Sequence, residues 1–368
     1  MSGLSGFQGV QGVQGVQGVQ GVQGVQGVQG VQGVQGVQGV QGVQGVQGVQ
    51  GVSGLYPVGP SQSTAVGIRH VAGQASIDPA MVAEDDRRND KQMGLWSDYV
   101  RGFIYVADFM KNLSWQDSPT SITLRWDGKP MLTLGRPDPS LLVEQLDFVH
   151  TYLDLRPDRA GETLDQVGSL AGHYAFILGL TPSRHSKTVE LIELTQLLCS
   201  HVVAVPKHYL TVRRPDQIDA RIMPLIQTPS HGSFPSGHAT QAMAIAEVLA
   251  AVVDANPDHY PDGAARKALL YKQAERIAAN RTVAGVHYPI DSIGGAYLGR
   301  EIARIIVASA NAPKNRKERL DAQEYTPTNE DYFVSEFQAR PVTGTGQYRV
   351  GHSGPLAWLW KKAMDEFI

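Results

Sequence analysis

From Gly3 to Gly54 every third residue is glycine, an unbroken series of 18 triplets closing at Tyr56, and 14 of them, from Gly9 to Gln50, are the same Gly-Val-Gln. A strict glycine period of three fits a triple helix of extended chains, because only glycine has room at its crowded axis. Such a rod would be roughly 160 Å long, at about 3 Å per residue, and would tie three chains together. No triplet contains proline, so the usual bias toward the extended conformation is missing. A flexible, uncharged low-complexity tail is the competing expectation, and the repeated valines make β-type stacking a third. The unbroken period favours the rod.

This collagen-like Gly-X-Y segment, residues 1–56, stands apart from the rest of the chain. All 32 basic and 35 acidic side chains lie beyond residue 54, for a formal charge of −3. That balance gives no reason to expect nucleic acid as a partner. Cys199 is the only cysteine; it excludes an intrachain disulfide and, in an apolar helical pattern, reads as a small core residue. The start, Met1-Ser-Gly-Leu-Ser-Gly, lacks the basic and apolar regions of an ordinary signal peptide. The apolar runs in 242–253 and 290–308 are interrupted by Glu247 and by Asp291, Arg300, Glu301 and Arg304, short of the ~20 apolar residues of a membrane span. The expectation is a soluble homo-oligomer, a trimer if the repeat winds, with no transmembrane segment. Its compartment is open, and the repeat is compatible with a cell-surface or extracellular place.

Residues 57–89, with Pro57, Gly59, Pro60, Gly67 and Gly73, read as a linker and irregular lead-in. Residues 90–368 read as one mainly α-helical domain. Apolar residues recur at helical spacing over 90–113, 139–154, 159–180, 186–203, 239–254, 263–283 and 290–309, with a last helix at 355–367. Ser121–Leu134, with Asp127-Gly128 at its centre, is the one clear β-hairpin. The fold class is a helical bundle with a minor hairpin.

Three segments of the back half carry chemistry. In Gly232-Ser-Phe-Pro-Ser-Gly-His-Ala-Thr240, Ser236 is placed to cap a helix, and Gly237 leaves the backbone uncovered. Helix-start N–H groups and the dipole there suit a phosphate-sized anion, and His238 can exchange a proton with it. In Lys207-His-Tyr-Leu-Thr-Val-Arg-Arg-Pro215, Lys207 and Arg214 are seven residues apart; two helical turns would put both cations on one side, with Pro215 ending the helix. In Asn280–Asp291, Arg281 is a third cation, and His287 stands four residues before Asp291. A carboxylate there can accept the Nδ1 proton and leave Nε2 free to attack or to ligate. Together these groups suit a multiply charged tetrahedral or trigonal-bipyramidal oxyanion, with no metal cation needed.

These segments resemble the superfamily that joins type 2 phosphatidic acid phosphatases, bacterial class A acid phosphatases and vanadium-dependent haloperoxidases. Its pattern is K-x6-RP, then PSGH, then SR-x5-H-x3-D, met here by Lys207 and Arg214-Pro215, by Pro235–His238, and by Arg281, His287 and Asp291. Asn280 stands where the family usually has serine. The resemblance implies that Lys207, Arg214, Ser236, Gly237, His238 and Arg281 bind the oxyanion and that Asp291 orients His287. In a phosphatase His287 would be the phosphohistidine nucleophile and His238 the general acid, with no cofactor and a small phosphate ester as substrate. In a haloperoxidase His287 would be the vanadate ligand and His238 the acid–base for peroxide, with halide and hydrogen peroxide as substrates. His231, seven residues before His238, matches a position near the peroxide side of vanadate in haloperoxidases.

Taken singly, each residue has a plainer reading: Lys207 and Arg214 as solvated surface, His287 as a packed histidine, Asp291 as a helix cap, His231 as a loop residue. Their joint spacing points to one site. His201 and His208 read as helix-surface residues. A soluble phosphoric-ester hydrolase leads narrowly, because no extra N-terminal bundle of the long haloperoxidases is visible and Ala204 replaces a tryptophan found in some of them. A vanadium-dependent haloperoxidase is the alternative, and a collagen-like structural element with an incidental enzyme domain is the third.

Overall fold

The computed structural model describes residues 90–341 and 343–368; the Gly-Val-Gln repeat and the 57–89 lead-in lie outside the described residues. The helix expected over 90–113 is two helices, α1 (Asp90–Leu95) and α2 (Asp98–Met110). The chain restarts at Ser97 and Asp98, whose side chains accept the N–H groups of Val100 (3.4 Å) and Tyr99 (2.8 Å). Such local acceptors favour a helix start over a helix interior.

Residues 104–368 form one compact unit. The hairpin is present as β2 (Ser121–Trp126) and β3 (Lys129–Gly135), flanked by β1 (Leu113–Asp117). Asp127 (φ 49°) and Gly128 (φ 73°) are both left-handed, as a two-residue hairpin turn of matching twist requires. Ile122, Leu124 and Trp126 point inward at period two and are buried. Helix α3 (Pro139–Leu153) starts at Asp138, whose side chain accepts from Ser140 N (2.9 Å). The expected helix over 159–180 is interrupted, giving α4 (Arg156–Asp165) and α5 (Ala171–Leu178) with Gly168 in the gap. Then come α6 (Ser186–Leu210), α7 (Gly237–Ala255), α8 (Gly263–Val283) and α9 (Pro289–Asn311).

β4 (Glu318–Asp321) pairs antiparallel with β6 (Gln347–Val350), while β5 (Gln323–Tyr325) joins β3 in parallel. These strands of three or four residues are too short for alternation to register in the sequence. Helix α10 (Val334–Ala339) and α11 (Gly354–Met364) complete the chain.

Helix α7 is the central element, packed against α6, α8 and α9. Every residue from Pro289 to Gly299 of α9 is buried, the mark of a core helix rather than an amphipathic surface one. Glycine permits its closeness to α7. A Cβ on Gly295 would lie 2.6 Å from Ser236 O, and one on Gly299 would lie 2.3 Å from Thr240 O.

The segment Ser186–Gln217, which contains α6, is long and apolar enough to cross a membrane, the one such stretch among the described residues. The expectation that no stretch qualifies is corrected here, because only Glu190 and Glu193 interrupt 188–206. More than half of its apolar window is buried inside the fold, and a core helix meets the same criterion.

Candidate active site

A cavity of about 540 Å³ opens beside the end of α6 and the start of α7, and Lys207, Arg214, His231, Gly237, His238 and His287 line it. Ser236, Arg281 and Asp291 do not line it; all three are buried behind it. His208 is exposed at the rim, while His201 is exposed on α6, its Nδ1 2.9 Å from Leu197 O.

Lys207 lies in the last turn of α6, which ends at Leu210 with Thr211 left-handed (φ 47°). Arg214 follows in extended backbone (φ −81°, ψ 160°), and Pro215 opens a 3-10 turn over 215–217. The two cations therefore do not share a helix face, and it is the reversal at Thr211, not Pro215, that ends the helix. A non-glycine left-handed cap is not marked by any spacing rule, which is why the sequence suggested a continuous helix. Lys207 Nζ donates to Gly232 O (2.9 Å) and Ser233 O (2.8 Å). Arg214 donates to His231 O (3.1 Å) and Val286 O (2.7 Å), and its Nη1 is 3.3 Å from His287 Nε2. Its Nη2 lies 3.2 Å from His231 Nδ1.

At the start of α7 Ser236 is the N-cap (φ −66°, ψ 124°), accepting from Ala239 N at 3.3 Å. Its own N–H donates to Asp291 O (2.8 Å), a main-chain bond that joins two of the motifs. A Cβ on Gly237 would sit 3.9 Å from Lys207 Cε, inside the cradle.

His287 lies just before α9. Its Nδ1 is 2.8 Å from Asp291 Oδ2, which also accepts from Tyr288 N (3.1 Å) and from Ser233 Oγ. Asp291 thus caps α9 and holds the imidazole with one oxygen. A guanidinium can only donate, so Arg214 against Nε2 and the carboxylate against Nδ1 both require the Nδ1–H form. Burial, then Arg214 and Lys207, hold His287 well below the usual histidine range, so the ring is neutral with a lone pair on Nε2. Complete burial raises Asp291, against the pull of Ser233 and nearby cations.

Arg281, at the end of α8, is fully buried. Its Nη2 donates to Thr163 O (2.8 Å) and Gln166 Oε1 (3.3 Å), whereas Nε and Nη1 have no partner. Buried guanidinium donors without a protein acceptor are costly, and they fit an oxyanion as the missing acceptor. His238 Nε2 donates to Gln166 O (2.9 Å), and burial, then Arg281, push this histidine down to about 3. Burial and Arg214 also lower Lys207.

These shifts fix a sign. Burial first, and repulsion from neighbouring cations second, drive protons off His238 and Lys207, and a bound dianion favours their charged forms, so binding takes up protons and affinity falls as pH rises. Sulfate keeps its charge near neutrality, and its affinity is expected to drop by up to roughly tenfold per pH unit across the region where Lys207 titrates. Calorimetry in buffers of different ionisation heat measures the uptake, and pH-independent binding without uptake would refute the expectation.

Two contributors escaped the sequence reading. Ser233, whose hydroxyl donates to Asp291 Oδ2, lies in the same loop as Pro235–His238 but outside the four-residue motif. Gln166 lies in the interruption between α4 and α5, which the sequence reading treated as helix.

Residues 190–314 match the PAP2 superfamily, and residues 1–57 match the collagen triple helix repeat. A vanadium-dependent bromoperoxidase from Ascophyllum nodosum is 37% identical over 94 residues, covering 20% of this chain and 17% of that enzyme. The chain thus spans about a sixth of the length of this curated relative. Among solved structures, the first transmembrane PAP2 type phosphatidylglycerolphosphate phosphatase from Bacillus subtilis aligns at 19% identity over 61% of this chain and 89% of that one, with a TM-score of 0.26. The stretch from Lys207 to Asp291 lies wholly within residues 190–314, the part of the chain that matches the PAP2 superfamily, and the match to the collagen triple helix repeat precedes it in the sequence.

Proposed function

We propose that this chain is an oxyanion-dependent enzyme of the vanadium haloperoxidase kind, oxidising halide with hydrogen peroxide. The observation that carries the oxyanion site is the buried Arg281 behind the cavity, two of whose nitrogens, Nε and Nη1, have no protein partner, and whose charge acts on both His238 and His287. The identity with a bromoperoxidase ranks this chemistry first.

The residues present fit vanadate. Lys207, Arg214, Arg281 and the main chain at Gly237 would hold its oxygens, and His287 Nε2 would bind its central atom. When bound, vanadate supplies the polarisation that makes peroxide an oxidant for halide. Asp291 keeps the proton on Nδ1 and so keeps Nε2 a ligand. Since Nε2 of His238 is committed to Gln166 O, Nδ1 is the nitrogen that takes and returns a proton. The overall change, hydrogen peroxide, halide and one proton to hypohalous acid and water, needs that proton delivered. His231, against Arg214, would tune the rim of the site.

A phosphoric-ester hydrolase is the second reading, supported by the superfamily match, with His287 as nucleophile and His238 as proton donor to the leaving oxygen. Two assays on the full chain separate the readings: bromide- or iodide-dependent oxidation with added vanadate and peroxide, and p-nitrophenyl phosphate hydrolysis without added metal. Halide oxidation that requires vanadate is the expected result. Ester hydrolysis without halide oxidation would reverse the order, and neither activity would sink both readings.

A further inference from the structure

We infer that Gln166 is a positioning residue that aims Arg281 and fixes the tautomer of His238; the inference rests on the oxyanion reading above. Gln166 is fully buried and forms the C-cap of α4 (φ −80°, ψ 6°). A carbonyl at a helix end has no helical donor, and this one accepts from His238 Nε2 (2.9 Å). Its side-chain Oε1 accepts from Asn280 Nδ2 (3.0 Å) and Arg281 Nη2 (3.3 Å), while its Nε2 donates to Glu162 Oε1 (2.8 Å). Arg276 in turn grips both oxygens of Glu162 through Nε, at 2.8 Å each.

The orientation of the amide is dictated by its partners. Flipped, its NH2 would face the donors of Asn280 and Arg281, and its oxygen would face a carboxylate. Gln166 and Thr163 O therefore occupy one nitrogen of Arg281, Nη2, leaving Nε and Nη1 as the donors without a protein partner. The same residue holds His238 by its main chain, so one helix end registers a proton-transfer group against a cation. Asn280, which replaces the family's serine, completes the link: it donates to Gln166 and accepts from Arg159 Nη1 (3.2 Å).

The test is the binding of dilute orthovanadate to the full chain by titration calorimetry, in wild type, Gln166→Met, Arg281→Ala and the double variant. Gln166→Met keeps the volume but removes the amide, and is expected to weaken binding about tenfold, the scale of one hydrogen bond to a charged group. Arg281→Ala is expected to weaken it about a hundredfold. If Gln166 acts through Arg281, the double variant binds like Arg281→Ala alone. A general packing role would instead cost the double variant the full further tenfold, and that outcome, or wild-type affinity in Gln166→Met, overturns the inference. Gln166→Asn, which withdraws the amide by one methylene, carries the same expectation if the methionine variant does not fold. Failure of the wild-type chain to bind vanadate overturns the oxyanion reading itself, and this inference with it.

Discussion

Replacing His287 with alanine is expected to lower turnover by roughly a thousandfold or more, in whichever of the two assays the wild-type chain is active. The reason is positional. His287 Nε2 is the one ring nitrogen at the cavity whose protonation is dictated from both sides, by Asp291 at Nδ1 and by the donor-only Arg214 at Nε2. Nothing nearby replaces it, since His238 has Nε2 tied to a carbonyl and His231 lies on the far side of Arg214. Asp291→Asn should be milder, because an amide still accepts at Nδ1 but no longer carries the charge that favours an electron-rich ring. Steady-state rates with a melting curve for each variant decide the matter. Activity within tenfold of wild type in a folded His287→Ala protein would remove this residue as ligand or nucleophile.

The second large effect belongs to stability. Gly299→Ala would place a methyl group 2.3 Å from Thr240 O and 3.0 Å from Ala244 N, both main-chain atoms of α7. Neither can yield without parting α7 from α9, so a loss of about 1–3 kcal/mol or more is expected. At about 2–4 °C per kcal/mol for a domain near this size, the melting temperature should fall by several degrees. Gly161, in α4, has nothing within 4 Å of an added Cβ. Gly161→Ala should therefore be neutral or slightly stabilising, as expected of an exposed helical glycine. Equal melting temperatures for the two variants would contradict the packing argument.

The helices that carry the motifs were legible in the sequence, because α7, α8 and α9 are long and repeat apolar residues at helical spacing. So was the hairpin, because Asp127-Gly128 is a turn with a specific backbone demand. The errors fall where local pattern and tertiary setting part company. Thr211 is left-handed with no glycine to announce it, so the spacing of Lys207 and Arg214 suggests a helix where Arg214 is in fact extended. The break at 166–170 has a single glycine, and so Gln166 was hidden inside a supposed helix. The glycines at 294, 295 and 299 carried no weight in the sequence reading, since what requires them is another helix's backbone. Motif spacing located Lys207, Arg214, His238 and His287 at the cavity and Asp291 against His287, whereas Gln166 meets Asn280 and Arg281 only through contacts across more than a hundred residues.

The bond from Ser236 N to Asp291 O also governs which parts of the site can move. With α7 and α9 in backbone contact, the helix start that bears His238 and the residues that bear His287 are tied together through their main chains. The 229–232 loop that also lines the cavity is held differently, by its carbonyls, through Lys207 and Arg214. Under the proposed function, the two cations that would grip the oxyanion are the same two that hold this loop, so filling the site and holding the loop would be coupled.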